Sequence, residues 1–314
     1  MISPAPDDRP ARMPDRTSSR SRRTPPRRLA PVVLVTGKGG VGKTTIAAGL
    51  AVLDAELHGK SALVEFGDGQ SGKRALVGAP RGVEHLVIRP DEAIQRGAAP
   101  LFGSAILAKI ALGNFAMKPL LRAAPAIREL AMLESVRQIA AERPGVRVVV
   151  DMPATGHSVA WLRVPRQGKD FLGEGRLFDL CDRIGKELLS PAHASIVVVT
   201  LPERLVLEET LELCSAIERD AGMSVARIVV NHMPVAVAEA ALRDAAARAV
   251  SGPLAASFAE LTRVLEARLA ISTAALASLS ALVDSAHALW HLPHAPVDPS
   301  AQDVARWLRG EGAG

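Results

Sequence analysis

Short, nearly uninterrupted apolar runs recur along this chain, separated by longer stretches with helical spacing. Val32-Val33-Leu34-Val35, Val146-Arg147-Val148-Val149-Val150 and Ile196-Val197-Val198-Val199 are too short for helices and lack the alternation of a half-exposed strand. Runs of this kind suit strands covered on both faces, and their alternation with helices predicts a parallel sheet between two helical layers. The pattern places strands near 32–36, 61–66, 84–89, 146–151, 195–200 and 225–231, with a late one near 288–292. The expected fold class is α/β, a doubly wound, mostly parallel sheet.

Residues from about 91 to 140 break this rhythm, with several helical segments and no convincing strand. They read as a helical insertion. Its apolar residues, among them Ile106, Leu107, Ile110, Phe115, Met117, Leu120 and Leu121, exceed what one packed face requires. They suit a small core of the insertion itself, or a dimer or client-binding surface. The Ala-rich stretch 235–289 is expected to be helical. The organisation is then a tail over 1–30 and one domain over 31–314 carrying the insertion.

Composition narrows the picture. Aromatics make up 3% of the 314 residues and tyrosine is absent, so the core is aliphatic and base-stacking surfaces are scarce. The net charge of +5 sits in residues 1–28, where eight arginines face Asp7, Asp8 and Asp15; the rest of the chain carries thirty basic and thirty acidic residues. A neutral body gives no reason to expect specific nucleic-acid binding. The tail is rich in Pro and Ser without periodic apolar residues, and is expected to be disordered. Pro4, Pro6, Pro10 and Pro14 oppose an amphipathic transit helix there, which leaves a solvated tail or an electrostatic tether. No run of eighteen uncharged apolar residues and no secretory leader occurs, so a soluble, cytoplasmic protein without a transmembrane segment is expected. Cys181 and Cys214 are far apart, which supports buried free thiols over a disulfide framework or a zinc site.

The chemistry concentrates after the first strand. Gly37-Lys38-Gly39-Gly40-Val41-Gly42-Lys43-Thr44-Thr45 contains the full G-x-x-x-x-G-K-T pattern between a predicted strand and the helix-like Ile46 to Leu57. Glycines there let consecutive backbone N–H groups approach phosphate oxygens, and the helix N-terminus adds its positive end. Lys43 supplies a cation to the β- and γ-phosphates, and the Thr44 hydroxyl is a Mg²⁺ ligand. Asp151, at the end of the buried run Val148-Val149-Val150, is placed to hold a Mg²⁺-bound water. The expected cofactors are therefore ATP and Mg²⁺.

With Lys38 the loop becomes K-G-G-x-G-K-T-T, which resembles the deviant P-loop ATPases: the arsenical pump-driving ATPase ArsA, the tail-anchored-protein targeting ATPase, MinD, ParA and the nitrogenase iron protein. Asp151-Met152-Pro153-Ala154-Thr155-Gly156-His157 resembles the second switch of the ArsA and targeting branch. Val198-Val199-Thr200-Leu201-Pro202-Glu203 and Glu208-Glu209-Thr210 are similar to further segments of it.

That resemblance implies a homodimer in which Lys38 reaches the partner's nucleotide, and a protein client or membrane-protein partner. It also implies that Asn231 reads adenine and that Leu292-Pro293-His294-Ala295-Pro296, with Pro293, forms the adenine loop. The first switch departs from the family pattern: Glu65-Phe66-Gly67-Asp68-Gly69-Gln70 offers Asp68 as the carboxylate that positions the attacking water, with Glu65 as its rival. Cysteine clusters for metalloid or zinc are absent. Two other readings remain open at this point, an ATP-binding scaffold without turnover and a surface-partitioning ATPase of the MinD or ParA kind.

Overall fold

The structure, a computed structural model, describes residues 29–102, 125–171, 173–234, 244, 255–282 and 288–310. The basic tail 1–28 and residues 103–124, which carry the apolar stretch of the insertion, lie outside the described residues.

Seven strands form one sheet: β1 (Val32–Gly37), β2 (Ser61–Phe66), β3 (Val83–Ile88), β4 (Arg147–Asp151), β5 (Ala194–Thr200), β6 (Val225–Met233) and β7 (Ala288–Pro293). Their order is β3-β2-β4-β1-β5-β6-β7, and every pairing is parallel. The described helices are α1 (Lys43–His58), α2 (Gln70–Ala75), α3 (Pro90–Phe102), α4 (Pro125–Ala141), α5 (Thr155–Phe171), α6 (Arg176–Glu187), α7 (Arg204–Ala216), α8 (Ala255–Leu282) and α9 (Ala301–Gly310). Helices α3 and α4 fall between β3 and β4.

The apolar runs explain the layering. Successive residues of a strand point to opposite faces. Val32, Leu34, Val64, Val148, Val150, Ile196 and Val198 enter the core built with α4 to α7, while Val33, Val35, Leu63, Val149, Val197 and Val199 enter the one built with α1 and α9. Both faces are dry, which is why these strands read as continuous rather than alternating. Close packing of α1 on α9 depends on Gly49, where a β-carbon would come 2.2 Å from a Val304 methyl group. Cys181 and Cys214 are buried free thiols, as their sequence context implied, and burial pushes the Cys214 thiol up to about 12, out of reactive range.

Because all strands are parallel, their C-terminal ends share one edge of the sheet. Strand β1 lies between β4 and β5, with Val35 level with Asp151 and Gly37 level with Val199. Glu65 of β2 is also level with Asp151, on the strand next to it. The loop after β1 thus opens in the crevice where an open α/β sheet places its ligands.

Candidate functional site

The loop 37–42 leads into α1 through Gly42, whose φ of 91° lies in the left-handed region. A side chain there would be strained, and its β-carbon would also stand 2.7 Å from Asn231 Nδ2. The first turn of α1 has no capping side chain and no acidic residue, so its N–H groups remain available to an anion. Lys43, the first residue of α1, curls back and donates from Nζ to the Lys38 carbonyl at 3.0 Å. Burial holds its ammonium below the usual lysine range, and Asp151 pulls it partway back.

Thr44 Oγ1 donates to Asp151 Oδ2 at 2.6 Å. The other carboxylate oxygen, Oδ1, is buried and has no hydrogen-bond partner among the described residues. Burial pushes the Asp151 carboxyl up to about 6; the Thr44 hydrogen bond and Lys43 oppose this, and Glu65 adds to it. An orphaned acceptor beside a threonine hydroxyl fits a hydrated Mg²⁺.

The two first-switch carboxylates have different surroundings. Glu65 is buried and saturated: Gly72 N–H donates to it at 2.7 Å, Ser71 N–H at 3.2 Å, and His85 Nε2 lies 3.1 Å away. Asp68 is exposed at the start of α2, where Oδ1 accepts the Gln70 N–H at 3.0 Å. Nothing in the sequence marks this clamp, because Gly72 and His85 belong to no motif.

Lys38 is exposed and pairs with Glu209 of α7, at 2.9 Å to Oε1 and 2.6 Å to Oε2. Asn231, buried at the end of β6, donates from Nδ2 to the Val41 carbonyl at 3.0 Å, which fastens the strand end to the loop. Pro293 ends β7, level with Met233. On the opposite side, Thr36 Oγ1 donates to Ser158 Oγ at 2.7 Å, tying β1 to α5 behind the second switch. The structure therefore gathers Lys38, Lys43, Thr44, Asp151 and Glu65 around the loop, sets Asn231 against its far side, and leaves Asp68 facing solvent.

A strand, a glycine-rich loop, an invading lysine and a threonine–aspartate pair at a central parallel strand define a P-loop nucleotide-binding protein. Residues 32–269 match the CobQ/CobB/MinD/ParA nucleotide binding domain, and the chain belongs to that family. It is similar to the ATPase BagA of Mycobacterium tuberculosis (strain ATCC 25618 / H37Rv), 29% identical over 221 residues that cover 63% of this chain and 64% of that protein. It is also similar to the arsenical pump-driving ATPase of Escherichia coli, 26% identical over 192 residues covering 60% of this chain and 32% of that protein. The chain thus spans 64% of the length of the mycobacterial relative. Among the described residues no helix is long and apolar enough to cross a membrane.

Proposed function

We propose that this protein binds and hydrolyses Mg-ATP, and that two copies close over the nucleotides in a switch cycle coupled to a protein client or membrane-protein partner. The observation that carries the reading is the Thr44–Asp151 pair with its free Oδ1, set against a loop whose N–H groups and Lys43 are open to phosphate. When bound, Mg²⁺ supplies positive charge to the β- and γ-phosphates. Thr44 and Asp151 are the residues that would hold it. Lys43 leaves the Lys38 carbonyl for the phosphates, and Lys38 leaves Glu209 for the partner's nucleotide. With Glu65 fully engaged in seating α2, Asp68 is the carboxylate left to orient the attacking water. The names these relatives carry support the ATPase chemistry more than any particular client.

A second reading has one observation in its favour. Asp68 faces solvent and is held in a local turn, which suits a protein that keeps ATP bound without turnover. Single-turnover phosphate release from Mg-ATP separates the two. Release that is lost in both Lys43→Ala and Asp68→Asn supports the ATPase. Tight ATP binding with no release supports the scaffold.

A further inference from the structure

Helix α5 opens directly after the second switch and packs on the face of the sheet opposite α1. Its Trp161, Leu162 and Val164 belong to the core that takes in Leu34, Val64 and Val150, whereas Ile46 and Leu50 of α1 belong to the other. Two contacts fasten α5 to the strand ends. Thr36 Oγ1 donates to Ser158 Oγ at 2.7 Å, with both residues buried. One turn further on, the Trp161 ring meets the Phe66 ring edge to face, with centroids 4.7 Å apart and planes at 76°. Ser158 and Trp161 are three residues apart and so share a helix face. Because β4 lies between β1 and β2, the two contacts straddle the strand that carries Asp151.

The second contact bears on the first switch. Phe66 ends β2, and Asp68 follows between Gly67 and Gly69, whose φ values of 112° and 76° are both positive. Apart from the hydrogen bond it accepts from the Gln70 N–H, Asp68 is flanked by the residue type with the greatest backbone freedom. Its position is therefore set by what holds the two ends of the segment. Downstream stands the seat of α2, held by Glu65. Upstream stands Phe66, whose ring rests on Trp161 while the next N–H, of Gly67, donates to the Ile88 carbonyl at 3.1 Å. Trp161 is 7% exposed, so its ring is a fixed wall, and an edge-to-face pair prefers one arrangement beyond the burial of its area.

We infer that Trp161 is a positioning residue for hydrolysis: it fixes Phe66, and through Phe66 it sets where the first switch presents Asp68 to the attacking water. The Thr36–Ser158 bond steadies the helix turn that carries Trp161. One ring contact thereby joins the helix of the second switch to the carboxylate of the first. The inference rests on the reading of Asp68 as the water-orienting residue.

The test is single-turnover phosphate release from Mg-ATP on the full chain, with ATP affinity measured beside it. Phe66→Leu and Trp161→Leu keep apolar side chains and lose the ring contact. Each is expected to slow release by roughly tenfold to a hundredfold, the scale of a small misplacement near the reacting atoms, with ATP affinity within about twofold of wild type. Since both act through one contact, the double variant loses no more than the slower single. Trp161→Phe, which keeps an aromatic ring against Phe66, restores most of the rate. A role in packing alone gives another pattern, a lowered Tm with release unchanged, or losses that multiply in the double variant, and either result overturns the inference. Should Trp161→Leu fail to fold, Phe66→Leu decides: release at the wild-type rate overturns the inference. Wild-type release in Asp68→Asn, or no release from the wild-type chain, is instead a failure of the underlying reading.

Discussion

Asp151 is subject to two opposing demands in the proposed function: burial favours its neutral form, whereas holding a cation would need its charge. Its carboxyl is raised from 3.8 to about 6, so the folded protein binds this proton more tightly than the unfolded chain does. The resulting stabilisation is complete below 3.8 and is lost as pH rises through about 6. At neutral pH the nucleotide-free protein therefore carries a cost on the order of 2–3 kcal/mol. Asp151→Asn, which keeps an acceptor for Thr44, is expected to raise Tm at pH 7.5 by about 3–6 °C. The gain should shrink towards pH 4, where the wild-type carboxyl is protonated, and thermal melts across that range check this. If the chain hydrolyses Mg-ATP as proposed, the same titration predicts that kcat/KM falls as pH drops below about 6, because the free protein would have to present the carboxylate. A pH profile flat down to 5 would remove Asp151 from the chemistry.

At the scale of elements, the seat of α2 decides what the first switch can do. Glu65 holds the N–H groups of Ser71 and Gly72 and touches His85 on β3, so the start of α2 is pinned to two strands. A β-carbon on Gly72 would stand 2.5 Å from Glu65 Oε2 and 2.6 Å from His85 Nε2. Gly72→Ala must therefore push the clamp apart. It is expected to cost about 1–3 kcal/mol of stability by chemical denaturation. If Asp68 orients water from this seat, single-turnover phosphate release also falls by roughly a hundredfold while ATP affinity changes little. Unchanged release would assign the clamp to stability alone.

The strands were legible in the sequence to within a residue or two, and the central ones most clearly, because burial on both faces leaves a continuous apolar run. The loop Gly37 to Thr45 was legible for a different reason: its chemistry demands fixed residue types at fixed spacing. The clamp was not, since His85 reaches Glu65 only because β3 lies beside β2, and Gly72 only because α2 folds back over the end of β2. The same holds for Phe66 and Trp161, which are far apart in the chain and are joined only by the packing of α5 on the sheet. The different surroundings of Asp68 and Glu65 are likewise absent from spacing, because they depend on which strands and helices lie beside each carboxylate.

Across the whole molecule, Lys38 is the residue that would link one copy to another. Lys38 is paired with Glu209 of its own chain, and both side chains are about half exposed. An exposed pair of this kind contributes little to stability, so it opens at little cost when a better partner arrives. Glu209→Gln should accordingly leave Tm within about 2 °C of wild type. In the proposed cycle the better partner is the nucleotide of a second copy, and a charge delivered across an interface in this way is worth on the order of a thousandfold in rate. Phosphate release from Mg-ATP measured against protein concentration tests this most directly. The expected result is a specific rate that rises with concentration to a plateau and collapses in Lys38→Ala. A specific rate independent of concentration and unaffected by Lys38→Ala would contradict it.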